Sequence, residues 1–268
     1  MLISLVLRFR SPGQKVPKLF TGHAVHAYLF NLLDALGYEK IDALHEMSEK
    51  PFTISPLMKG RKEADRDLYW IRIASFAQDI SVLLGRLSER ALPPLFIKGV
   101  KLFPERVLMD RKQPWVRETS FDDLYNTALV WAKAREEDAI GLRFVTPTTF
   151  KLAGSRLNMP LPWPRLVFQS LANRWNAFSP IPLWIDWPDF ERRVTVAKCD
   201  VRTRLLDFGH FRQVGFVGEC WFLIDPQAKL PLRHALYTLA QFAFYAGVGR
   251  KTTMGMGMVR PLQGRDTV

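Results

Sequence analysis

The chain has 268 residues, 48% of them hydrophobic and 12% aromatic, so it can bury a sizeable core and a disordered chain is excluded. Its 38 Lys plus Arg stand against 26 Asp plus Glu, a formal charge of +12 that favours polyanionic partners, nucleic acid first. The two cysteines, Cys199 and Cys220, exclude a disulfide framework and a Cys-rich zinc site, and read as reduced, buried thiols of a cytoplasmic protein.

The first element is a strand over Leu2–Arg10, closed by a turn at Ser11, Pro12 and Gly13. Arg8 and Arg10 follow its apolar run instead of preceding it, which does not read as a signal peptide. Val25, Leu29, Leu32 and Leu36 recur at helical spacing from Ala24, and Gly37 ends that helix. A short extended piece from Pro51 to Pro56, a strand over 68–75, a helix over 76–87 and a strand over 95–102 complete a first set. Residues 103–137 are a bridge with a helix from Phe121 to Ala134. A second set then follows: a strand over 141–151, a helix over 164–178, strands over 193–207 and 213–224, a helix over 232–245 and a strand over 254–261. No stretch approaches the roughly 20 apolar residues of a membrane span, so no membrane partner is expected. Trp163, Trp175, Trp184 and Trp187 fall in an apolar, proline-rich region and are expected in the core. The fold class predicted is α+β: two βαββαβ domains in tandem, over residues 1–115 and 120–268.

The segment from Gly247 to Gly257 is the most distinctive. Gly247, Gly249, Gly255 and Gly257 free the backbone for positive φ, and Arg250 and Lys251 lie between them. Main-chain amides beside two cations suit a phosphate. A P-loop is excluded, because a helix precedes the loop and the order is Gly249-Arg250-Lys251-Thr252. By spacing alone, a tight helix-to-strand connection accounts for these glycines equally well.

The run Phe244-Tyr-Ala-Gly-Val-Gly-Arg-Lys-Thr-Thr-Met-Gly-Met-Gly-Met-Val259 resembles the C-terminal glycine-rich signature of the CRISPR-associated repeat-RNA endoribonucleases, the sixth Cas family within the repeat-associated RNA-binding proteins. Leu142–Lys151 is similar to the first strand of that family's C-terminal domain, and Val214–Glu219 to the strand before its last helix. Leu44-His-Glu46 followed by Lys50–Pro56 looks like its active-site region. The resemblance implies two ferredoxin-like (RRM-like) domains in tandem and cleavage of CRISPR repeat RNA. It also implies that no metal or cofactor takes part, and leaves a CRISPR effector complex and a homodimer open as further partners. A non-catalytic RNA-binding subunit of an effector complex is the alternative.

Metal-independent RNA cleavage needs a base for the 2′-hydroxyl, an acid for the 5′-oxygen and cations for the phosphate. The resemblance places the catalytic histidine on His45 and the catalytic lysine close to Lys50. The family also uses a tyrosine on the first helix, where this sequence has Phe30. Tyr28, about 200° away around a helix, is not a simple stand-in. His26, one turn from His23, competes with His45 for the catalytic role. His210 and His234 read as structural. For holding RNA, Lys198, Arg202 and Arg204 share a parity, and hence a face, on one strand that also begins with Arg192 and Arg193. The glycine segment contains no group that moves a proton near neutral pH, so tail and histidine are expected to meet across the RNA.

Overall fold

The computed structural model describes residues 1–17, 19–60, 67–134, 139–209 and 211–262, so His210 lies outside the described residues. The chain divides into two compact units that are not consecutive in sequence. One comprises Met1–Thr119, Asp207–Arg212 and Lys251–Met256; the other comprises Ser120–Leu206, Gln213–Arg250 and Gly257–Val268.

The first unit runs β1 (Leu2–Arg10), α1 (Gly22–Ala35), α2 (Ile41–Glu46), β2 (Phe52–Ile54), β3 (Met58–Lys59), β4 (Leu68–Ser75), α3 (Gln78–Gly85), β5 (Leu95–Ile97), β6 (Val100–Leu108) and β7 (Arg117–Thr119). Its sheet has the order β2-β4-β1-β6-β5, with β3 on β4 and β7 on β1. Leaving the extra strands aside, the order is second, third, first, fourth: the ferredoxin-like plan. Alternation along β1 sends Ile3, Leu5, Leu7 and Phe9 into the core against Val25, Leu29, Leu32 and Leu33 of α1 and Ile80 and Leu84 of α3. Each such side chain contributes about 1.5–3 kcal/mol by leaving water. The strand expected over 95–102 is instead a hairpin. It turns at Lys98-Gly99, where both residues have positive φ (47° and 84°), as a two-residue hairpin turn requires.

The second unit runs α4 (Phe121–Ala134), β8 (Ala139–Thr148), β9 (Phe150–Lys151), β10 (Asn158–Met159), α5 (Pro164–Phe178), α6 (Trp187–Arg193), β11 (Val194–Asp207), β12 (Arg212–Ile224), α7 (Leu230–Ala246) and β13 (Val259–Pro261). Its four-stranded sheet, β11-β12-β8-β13, repeats the ferredoxin-like order. Val167, Phe168, Leu171 and Trp175 of α5 and most of α7 are buried.

Four further expectations change. Trp175 is core, but Trp163 and Trp184 are 60% and 88% exposed, because the proline-broken segments carrying them have no periodic face to bury. Cys220 is buried while Cys199, on strand β11, is exposed. Arg192 and Arg193 end α6 instead of opening β11, since Asp186 caps that helix by accepting from the Asp189 amide. The last strand is only Val259–Pro261, and Thr252–Met254 form one 3-10 turn. No helix among the described residues is long and apolar enough to cross a membrane.

Candidate active site

Helix α1 buries Val25 and Leu29, which leaves His26 at the edge of its apolar stripe and half-buried, with His23 one turn earlier and exposed. His26 Nδ1 donates to the Thr253 main-chain carbonyl at 2.9 Å, and a carbonyl can only accept. The neutral ring therefore carries its proton on Nδ1 and its lone pair on Nε2. Two glycines allow this approach. A Cβ at Gly22 would collide with the Met254 carbonyl oxygen, and one at Gly255 would meet the Pro56 nitrogen at 2.8 Å. Lys251 and Gly255, both left-handed, bracket the turn that presents Thr253.

Burial pushes the His26 pKa below its ordinary value. The Thr253 hydrogen bond opposes that shift, and the charges of Lys50, His45 and His23 add to it.

His45 lies in the last turn of α2, a helix of six residues, and is exposed. Its ring stacks on Phe30 of α1 at 3.8 Å between centroids and 19° between planes. Phe30 also touches His26, with centroids 4.9 Å apart, so one phenylalanine contacts both imidazoles. Phe52 of β2 closes the group, 6.2 Å from His26 and 5.8 Å from Phe30. Lys50 Nζ donates to the His45 carbonyl at 3.0 Å and the Met47 carbonyl at 2.7 Å, which holds the C-terminal end of α2. Burial lowers its pKa. An ammonium has three donors, and its bonds among the described residues leave one for a ligand. Tyr28 points away. Its ring packs edge-on against Phe9 in the core, and burial pushes its pKa up.

The tail reaches His26 directly, through the Thr253 carbonyl. Beside it, Lys251 Nζ lies 5.1 Å from the Phe208 ring and 4.5 Å from the Phe211 ring, and His23 meets Phe208 edge-on at 5.7 Å. The sequence reading missed Thr253 and the Phe208–Phe211 stack. A main-chain acceptor leaves no signature in side-chain types. The two phenylalanines around Gly209 were a visible signal, since a turn exposed on a hairpin does not ordinarily carry two of them.

In the second unit, Gly247, Gly249 and Gly257 all take positive φ. Arg174 of α5, buried, donates to the carbonyls of Ala246 (3.1 Å), Gly247 (3.2 Å) and Gly249 (2.6 Å), and so ties down the start of the glycine segment. Sequence spacing placed Arg174 on a helix but gave no sign of this role. Arg250 bonds Asn158 Oδ1 at 2.8 Å. Lys198, Arg202 and Arg204 are all exposed on β11. His234 is buried and shares a 2.8 Å hydrogen bond with the Tyr125 carbonyl, a structural position. Among the described residues no group of three or more His, Cys, Asp or Glu could hold a metal ion.

Residues 142–259 match the family model described as CRISPR-associated endoribonuclease Cas6. The CRISPR-associated endoribonuclease Cas6 of Mycobacterium tuberculosis is 25% identical over 270 residues, which cover 98% of this chain and 79% of that protein. Its Streptococcus thermophilus namesake is 24% identical over 268 residues, 99% of each. Among solved structures, a product complex of Thermus thermophilus Cas6 is 30% identical with a TM-score of 0.80, covering 98% of this chain and 99% of that one.

Proposed function

Because the chain belongs to the CRISPR-associated endoribonuclease Cas6 family, we propose that it binds CRISPR repeat RNA and cuts the precursor transcript into guide RNAs without a metal ion. His26 Nε2 removes the proton of the 2′-hydroxyl at the scissile nucleotide, and the alkoxide attacks the adjacent phosphorus. The bond to the 5′-oxygen breaks as His45 donates a proton to it, leaving a 5′-hydroxyl and a 2′,3′-cyclic phosphate. The third donor of Lys50 steadies the charge on the phosphate. Lys198, Arg202, Arg204, Arg250, Lys251 and the glycine backbone hold the strand. The observation that supports this reading most is the pair of imidazoles on Phe30, one oriented by Thr253 with a free Nε2, the other exposed to a ligand.

Cognate repeat RNA should be cut in EDTA, and a 2′-deoxy substitution at the scissile nucleotide should stop cutting. His45→Ala and His26→Ala should each slow cleavage by roughly 100- to 10,000-fold with RNA binding retained. Full activity of His45→Ala removes that residue from the mechanism. Binding by the wild-type chain with no cleavage would make it instead a non-catalytic RNA-binding subunit.

A further inference from the structure

The hairpin of β5 and β6 presents two faces of opposite character. Leu95, Ile97, Val100 and Leu102 point into the core or pack against it. The other face carries Phe96 and Phe103, 57% and 46% exposed, with Lys101 directly opposite Phe96 in register. Lys101 Nζ lies 6.0 Å from the Phe96 ring and 5.1 Å from the Phe103 ring. Arg10 of β1 is the cross-strand neighbour of Phe103, and Arg8 that of Arg106. Lys98 stands at the hairpin tip in a left-handed conformation that is costly for a residue with a Cβ.

This face therefore holds Arg8, Arg10, Lys101 and Arg106, with Lys98 at the hairpin tip. Glu105 pairs with Arg8 (3.1 Å) and Arg10 (2.5 Å), and Glu89 with Arg106 (3.8 Å). Among the described residues no carboxylate pairs with Lys98 or Lys101.

We infer that the outer face of the β5–β6 hairpin is a second RNA contact, a stacking platform for unpaired nucleobases of the repeat transcript. The inference rests on the RNA-processing reading above and adds a place where a single-stranded part of the substrate binds. Exposed aromatic rings on a sheet face accept any base, because every base has a π face. Paired bases are already stacked on one another, so the ligand is single-stranded. Phe96 and Phe103 are diagonal neighbours about 7–8 Å apart, which gives each ring its own base. Lys101 between them meets the phosphate that joins the two nucleotides. A protein partner fits less well, because protein interfaces are depleted in lysine and this one would enclose Lys101 between its two aromatic anchors.

The test uses the full chain and a repeat RNA with a 2′-deoxy scissile nucleotide and 2-aminopurine at successive unpaired positions. Wild-type protein should quench the probe at one or two positions. Phe96→Ala/Phe103→Ala should abolish that quenching and weaken binding roughly tenfold or more per ring. Phe96→Trp/Phe103→Trp should restore both, which a merely structural role would not. Unchanged quenching and affinity in the alanine variant overturn the platform while leaving the nuclease reading intact. Quenching that survives while assembly with a second protein is lost overturns it in favour of a protein interface. Failure of the wild-type chain to bind any repeat RNA defeats the underlying reading together with the platform.

Discussion

Held by Thr253 and partly withdrawn from water, the His26 imidazole stays neutral at lower pH than a free histidine. A general base, the role proposed for His26, has to be neutral, so the acid limb of kcat/KM should fall below 6.5, the ordinary histidine value. The folded state binds this proton less readily than the unfolded chain. The site's stability is therefore intact above 6.5 and is lost as pH falls from there through the folded pKa. Denaturant titrations at several pH values should show that loss in the wild type and less of it in His26→Ala. Lys50 offers a second test at this scale. Lys50→Met removes both bonds to the end of α2, so His45 should lose its place on Phe30 and kcat should drop more than tenfold, with KM changing less. Arginine in place of Lys50 should rescue only in part. His26 was legible as a candidate because the chain has only five histidines, whereas His45 and Lys50 were singled out by the family resemblance. Thr253 was not: its contribution is a carbonyl, which every residue has, placed 227 residues away along the chain.

At the scale of the element, α7 ends under the control of α5. The last carbonyls of a helix have no intrahelical donors, and here the guanidinium of Arg174 supplies one to Ala246 and continues to the Gly247 and Gly249 carbonyls just beyond the helix. Arg174→Ala should destabilise the protein by about 2–4 kcal/mol, a fall of roughly 5–15 °C in Tm. Arg174→Lys should recover less than half of this, since a point charge cannot span three acceptors in a plane. Differential scanning calorimetry of both variants decides the matter. The long elements were readable because amphipathic periodicity needs several turns to declare itself, as in Phe121–Ala134 and Pro164–Phe178. Helix α2 was not, since six residues are too few to show a period. The hairpin at Lys98-Gly99 was hidden for a different reason. Lysine is an uncommon occupant of that turn, and the core-facing positions change phase across it, from Leu95 and Ile97 to Val100 and Leu102, over strands too short for the change to stand out.

For the whole molecule, the charge of +12 makes RNA affinity strongly dependent on salt. Replacing Lys198, Arg202 and Arg204 together by alanine should reduce the slope of log K against log salt by about 2, with the loss of activity falling on KM. Filter binding between low and physiological salt measures that slope. The tandem order of elements was visible in the sequence, and the sheet orders β2-β4-β1-β6 and β11-β12-β8-β13 follow it. The membership of the units was not visible, because where Asp207–Arg212 and Lys251–Met256 come to rest depends on contacts that no local pattern encodes.

That membership bears on how the protein is made. His26, His45 and Lys50 leave the ribosome early, yet the carbonyl that orients His26 belongs to residue 253. At about 5–20 residues per second, synthesis from Thr119 to Met256 takes roughly 7–27 s. During that interval the carbonyl that orients His26 has not yet been made, so the proposed acid–base pair reaches its final geometry only once the last tenth of the chain has been made.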